Sequence, residues 1–173
     1  MQIVEILIEV VKYALPSLVI YFLMRQYTSQ QTFLLAQQHR KDADKDVKAL
    51  RFQAYERLIM FVERTKLSDL IIRLNTPELD ANALKTILLV STQKEYEHNI
   101  TQQLYVSGQL WQMIELYKDQ TINAITQSYI NMERQGKDAY VNDLFSHNQQ
   151  LSVGISNKVK AAIRKEIELY FDL

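Results

Sequence analysis

The chain is 173 residues long, with 47% hydrophobic and 23% charged residues, a balance that supports a packed core and argues against disorder. Its 20 basic residues offset 20 acidic ones, so the basic face of a nucleic-acid binder is not expected. Cysteine is absent, which excludes disulfides and thiolate metal sites, and 3 Gly with 2 Pro are few for the turns of a sheet protein. The expected fold class is therefore all-α: an N-terminal transmembrane helix, a helical stalk, then a bundle of four to five helices.

The first element is the apolar stretch from Ile3 to Met24, whose 22 residues are close to the ~20 that cross a bilayer as a helix. Of these, 13 are Leu, Ile, Val or Phe, together worth about −4 to −8 kcal/mol on an insertion scale. Lys12 near the midpoint costs at most ~3 kcal/mol, and less if it snorkels. Residues 1–25 are thus expected to form a transmembrane anchor. A signal peptide is not expected, because the first basic residue is Lys12 and no small-residue cleavage site follows Met24.

At about 100° per residue, Glu5, Glu9 and Lys12 fall within about 60° of one another on the helix. A polar stripe on a membrane helix faces another helix rather than lipid. The expected partners are therefore the lipid bilayer together with a second copy of the chain or another membrane protein. Arg25, Arg40 and Lys41 follow the span and no Lys or Arg precedes it. By the positive-inside rule this places a short N-terminus outside and the C-terminal domain in the cytoplasm, as in a single-pass protein of a bacterial inner membrane.

Residues 26–46 are polar apart from Phe33, Leu34 and Leu35, and no Pro or Gly interrupts them. They are expected to continue as a solvated helical stalk. The domain of residues 47–173 follows. Val47, Leu50, Ala54, Leu58, Phe61 and Val62 keep helical spacing, and Leu67, Leu70, Ile71 and Leu74 continue it with a slip, predicting one helix over 47–74. Thr76-Pro77 or Asp80 starts the next helix, running to about Val106. Ser107 is the expected cap of a helix carrying Leu110, Trp111, Ile114, Tyr117, Thr121, Ile125 and Tyr129, with Gly136 as its stop. A shorter helix is expected over 138–148, and Ser152 or Ser156 is expected to cap a last one lined by Val159, Ile163, Ile167 and Tyr170.

Chemistry-bearing patterns are sparse. Glu95 and His98 form one Glu-x-x-His, but a bundle di-metal site needs two, and His39 and His147 have Ala36 and Leu144 at the matching position. No metal and no cofactor is expected. Neither a Gly-x-Ser-x-Gly nor a Gly-rich phosphate loop occurs. No catalysis and no small-molecule substrate are expected. Two dense mixed stretches remain, residues 54–74 and 94–107. They supply an expected interaction surface of Glu56, Arg57, Glu95, Glu97, His98, Asn99 and Gln103.

The runs Gln-Ala-Tyr-Glu-Arg-Leu and Glu-Tyr-Glu-His-Asn, followed by Gln-Gln-Leu-Tyr-Val-Ser, resemble an uncharacterised family of small helical Bacteroidota proteins. Members of that family carry a predicted N-terminal membrane segment before a helical domain. The resemblance implies an anchor and a Gram-negative inner membrane, and no activity. The expected function is that of a membrane-anchored interaction or scaffold protein. The alternatives are an accessory subunit of a larger inner-membrane complex, or a soluble helical ligand binder or enzyme whose first helix is core.

Overall fold

The computed structural model describes residues 2–171; within them, the side chains of residues 2–11, 13–17, 19, 29, 33–36, 39–43, 133, 152 and 153 lie outside the described part. All regular structure among the described residues is helical. The elements are α1 (Gln2–Arg64), α2 (Leu67–Leu74), α3 (Ala81–Asn99), α4 (Gly108–Met132), α5 (Lys137–Leu151) and α6 (Asn157–Phe171). Short 3₁₀ turns follow α3 and α4, and a π-helical turn, Ser152–Ser156, joins α5 to α6.

Backbone contacts divide the chain into two compact units, Met1–Val47 and Lys48–Leu173. The first is helix throughout its described residues. Its described apolar side chains are exposed, Leu18, Ile20, Tyr21, Phe22, Leu23, Met24 and Tyr27 by 55% to 62% and Val47 by 48%. Thr28 Oγ1 donates back to the Met24 carbonyl at 2.9 Å, so the hydroxyl is satisfied inside the helix. Among the described residues no helix is long and apolar enough to cross a membrane. The expected stripe is described only at Lys12, which is exposed; the side chains of Glu5 and Glu9 lie outside the described residues.

The second unit is built around α4, which packs against α3, α5 and α6, while α2 packs on α3 and α5. The α4 stripe serves two core clusters in turn. Leu110, Trp111, Ile114 and Tyr117 meet Tyr55, Leu58, Phe61 and Val62 of α1, Tyr96 of α3 and Val159 and Ile163 of α6. One turn and more further on, Ala124 and Ile125 meet Leu67, Leu70 and Ile71 of α2, Leu84 and Leu88 of α3, and Tyr140 and Leu144 of α5. Thr121 lies between them, buried, its hydroxyl returned to the Tyr117 carbonyl at 2.9 Å. Fully burying one such apolar side chain contributes about 1.5–3 kcal/mol, so these two clusters dominate the stability of the unit.

Three boundaries differ from expectation, each for a local reason. The helix expected over 47–74 breaks at Thr65-Lys66, where Lys66 turns to φ −57°, ψ 134°. A helix end leaves its last four carbonyls without intrahelical donors, and here all four are received. Phe61 O accepts from the Thr65 amide at 3.0 Å, Val62 O from the Tyr117 hydroxyl at 3.0 Å, Glu63 O from the Lys66 amide at 3.4 Å and Arg64 O from Arg73 Nη2 at 3.3 Å. The break is stable because α4 and α2 bring donors to it. The slip in the apolar spacing after Val62 is its trace in the sequence. At the other end of that stripe, Val47 and Leu50 are exposed rather than core.

Helix α3 starts at Ala81, where Asp80 Oδ1 accepts from the Ala83 amide at 2.7 Å, so Asp80 is the cap and Thr76-Pro77 precedes the helix. It ends at Asn99 rather than near Val106, and 3₁₀ geometry takes over through Leu104. Ser107 caps α4 as expected: its Oγ accepts from the Leu110 amide at 3.1 Å. Gly136 at φ +89°, the left-handed side open to glycine, separates α4 from α5. The expected caps Ser152 and Ser156 are not caps. The backbone stays helical from Leu151 to Asn157 through the π turn, and Ser156 is buried within it.

Candidate functional site

The residues expected to form one interaction surface do not converge on one place. Glu95 and His98 line a cleft of about 500 Å³ between the end of α1, the end of α2 and α3. Glu56 and Arg57 line a second cleft, of about 540 Å³, with Met60 of α1 and with Gln102, Leu104 and Tyr105 beyond α3. Glu97 is exposed and accepts from Gln93 Nε2 at 2.9 Å on its own helix. Gln103 is exposed on the 3₁₀ turn. Asn99 is a correction: it is buried, with Nδ2 donating to the Glu95 carbonyl at 2.8 Å, so it ends α3 rather than presenting a surface.

The first cleft is the more chemically defined. Arg64 stands in the last turn of α1 and Arg73 in the last turn of α2; the negative end of each helix dipole favours a cation there. Arg73 is positioned by its bond to the Arg64 carbonyl at 3.3 Å. From α3, Ser91, Lys94, Glu95 and His98 follow i, i+3, i+4, i+7 spacing and so share one face. The single carboxylate of this lining, Glu95, has its Oε2 3.8 Å from Arg64 Nη1, beyond hydrogen-bond length. Two arginines, a lysine and a histidine thus line one cleft with a single carboxylate.

A third cavity, of about 300 Å³, opens between α4, α5 and the π turn. Gln120, Asn123, Gln127, His147 and Gln150 line it. In the sequence Gln120, Asn123, Gln127 and Gln150 belong to no motif, and His147 stands out only as a histidine without a Glu three residues before it. Its one titratable group is His147, whose Nδ1 lies 3.1 Å from Ser128 Oγ, 3.1 Å from the Asp143 carbonyl and 3.3 Å from Asp143 Oδ2. Two of these neighbours only accept, so Nδ1 carries the hydrogen. Serine and aspartate meet the same ring nitrogen, so this is not the relay of a serine hydrolase, which uses both nitrogens. The Asp143-x-x-x-His147 spacing on α5 was the signal available in the sequence.

A fourth set of polar groups is structural. The Glu166 carboxylate on α6 accepts from the Tyr55 hydroxyl at 3.1 Å, from the Ser107 amide at 3.3 Å and from the Ser107 hydroxyl. It ties α6 to α1 and to the start of α4. Burial, reinforced by the adjacent Glu166 charge, pushes the Tyr55 phenol well above its ordinary value. Among the described residues no cluster of three or more His, Cys, Asp or Glu side chains could hold a metal ion.

The chain matches no curated protein and no solved structure. A family model does match it, over residues 1–170, and is described as a family of unknown function, DUF7935. The match spans both units, and the chain therefore belongs to that family.

Proposed function

We propose that the chain is a helical interaction module, held at a membrane by its first helix and acting by binding rather than catalysis. One observation carries this: Ile20, Tyr21, Phe22, Leu23 and Met24 are consecutive and all exposed. Five consecutive residues at about 100° each encircle a helix, so this surface is apolar on every side. Water does not stabilise such a sheath, whereas lipid tails do. In the sequence the apolar run reaches back to Ile3, 22 residues in all and close to spanning length, and Arg25, Arg40 and Lys41 orient it with Lys48–Leu173 on the cytoplasmic side of a bacterial inner membrane. The shared face of Glu5, Glu9 and Lys12 is the proposed contact with a second membrane helix, from another copy or a larger complex.

The test is fractionation of the full chain beside a version beginning at Gln37. The expected result is that the full chain stays with membranes after carbonate washing and the shorter one does not. Recovery of both in the soluble fraction would refute the anchor. Replacing Glu5, Glu9 and Lys12 together by Leu is expected to keep the chain in the membrane and abolish co-purification of its membrane partner.

A further inference from the structure

We infer that the cleft formed by Arg64, Arg73 and the Ser91–His98 face of α3 binds a phosphate group. In this cleft cationic donors outnumber the one carboxylate. Arg73 spends one of its five N–H donors on the Arg64 carbonyl, which fixes the guanidinium and leaves the others without a hydrogen-bond partner among the described residues. Arg64, with a side chain 54% exposed, has among the described residues only the distant Glu95 carboxylate, at 3.8 Å. Among the described residues Lys94 and His98 have no ion pair, though both line the same cleft. Capping the end of α1 accounts for Arg73. The end of α1 likewise favours Arg64, but neither helix end accounts for Lys94 beside them, a third like charge in one cleft at a cost in repulsion.

An anion with several acceptor oxygens reverses that cost. The planar fork of arginine matches two phosphate oxygens at once, and lysine adds a point charge. Ser91 supplies a neutral hydroxyl donor from the same face. The opening of about 500 Å³ holds a phosphoryl group with part of its carrier. It is one cleft on a chain of zero formal net charge, which does not favour a nucleic-acid backbone as its ligand. The same chemistry is offered by a soluble phosphomonoester and by a phosphatidic headgroup. All the residues concerned lie within Lys48–Leu173, so the inference stands apart from the membrane anchor.

The experiment is calorimetric titration of the full chain, in detergent if its anchor requires it, with phenyl phosphate and separately with short-chain phosphatidic acid. Saturable binding of at least one probe is expected. The double variant R64Q/K94Q should weaken it by about tenfold or more, since each substitution removes a charge-assisted contact. E95Q should tighten it severalfold by removing the competing carboxylate. Both variants sit on exposed or half-buried side chains, and circular dichroism checks that they fold. Tighter binding of phenyl phosphate assigns the site to soluble phosphoesters, and tighter binding of the lipid assigns it to headgroups. Absence of saturable binding to either probe, or equal binding by wild type and R64Q/K94Q, overturns the inference.

Discussion

Replacing Tyr117 by Phe tests how the end of α1 is held. The Tyr117 hydroxyl donates to the Val62 carbonyl at 3.0 Å, and both residues are buried. The Lys66 amide, which would serve that carbonyl in a continuing helix, bonds Glu63 O instead. Removing the hydroxyl therefore leaves a buried carbonyl with no donor, at a cost of about 1–3 kcal/mol. The ring stays, so packing against Phe61 at 5.9 Å between centroids is kept and no cavity term of note is added. Thr65 Oγ1 keeps its own bond to Phe61 O at 2.6 Å. A loss of about 2 kcal/mol is expected in equilibrium urea unfolding, as a lower midpoint with an unchanged slope. Burial also pushes the Tyr117 phenol up to about 12, against roughly 10 in an unfolded chain. Below pH ~10 the phenol is protonated in both states and its contribution is whole; as pH rises from about 10 to 12 only the unfolded state ionises, and stability is lost. The gap between wild type and Y117F should thus narrow over that window. A change under about 0.5 kcal/mol at neutral pH, or a gap that holds constant to pH 12, would refute the reasoning.

Ser107→Ala removes the α4 cap and one donor to Glu166, and should lower stability by about 1–2 kcal/mol, read from the thermal midpoint. Gly136 lies at φ +89°, ψ 179°, yet a Cβ there meets nothing within 4 Å. Gly136→Ala should therefore cost about 1–3 kcal/mol through backbone strain alone, and a neutral result in denaturant unfolding would show that the turn has another conformation. Glu63 has its carboxyl held below the usual range, first by its hydrogen bond from Lys66 and then by Lys160, 3.0 Å away. Its folded value is depressed, so its contribution is present above about pH 4.3 and is lost as pH falls through the folded value. The side chain is 41% exposed, so the effect should stay under about 1 kcal/mol. Comparing wild type with E63Q from about pH 6 down to pH 3 checks it, and parallel curves would exclude the ion pair as a source of acid lability.

How much was legible in the sequence depends on whether the signal was local. The α4 stripe and its Ser107 cap are set by neighbours three and four apart, and both stand as expected. The break at Thr65-Lys66 is not local. Two of its four donors come from elsewhere, Tyr117, 55 residues on from Val62, and Arg73, 9 on from Arg64. A slipped apolar spacing was its only trace, and a slip alone does not distinguish a break from a drift in the helix face. The π turn after Leu151 left less still, because Ser152 and Ser156 are good caps by composition and only the continuing αR backbone overrides them.

The candidate site shows the same division within a single helix. Ser91, Lys94, Glu95 and His98 are spaced i, i+3, i+4, i+7, and that pattern was present in the sequence from the start. Grouping Glu95, Glu97, His98, Asn99 and Gln103 by proximity along the chain cut across it. Glu97 lies about 200° from Glu95 on the helix and belongs to the opposite face. Asn99 closes α3 on the inside, and Gln103 is carried away by the 3₁₀ turn. What no helical pattern supplies is Arg64 and Arg73, which arrive from two other helices because their C-terminal ends meet beside α3. Each arginine alone is explained by the end of its own helix, and only their meeting over Lys94 makes an excess of charge. The cleft is therefore a tertiary property, produced by the break in α1 that places those two ends together.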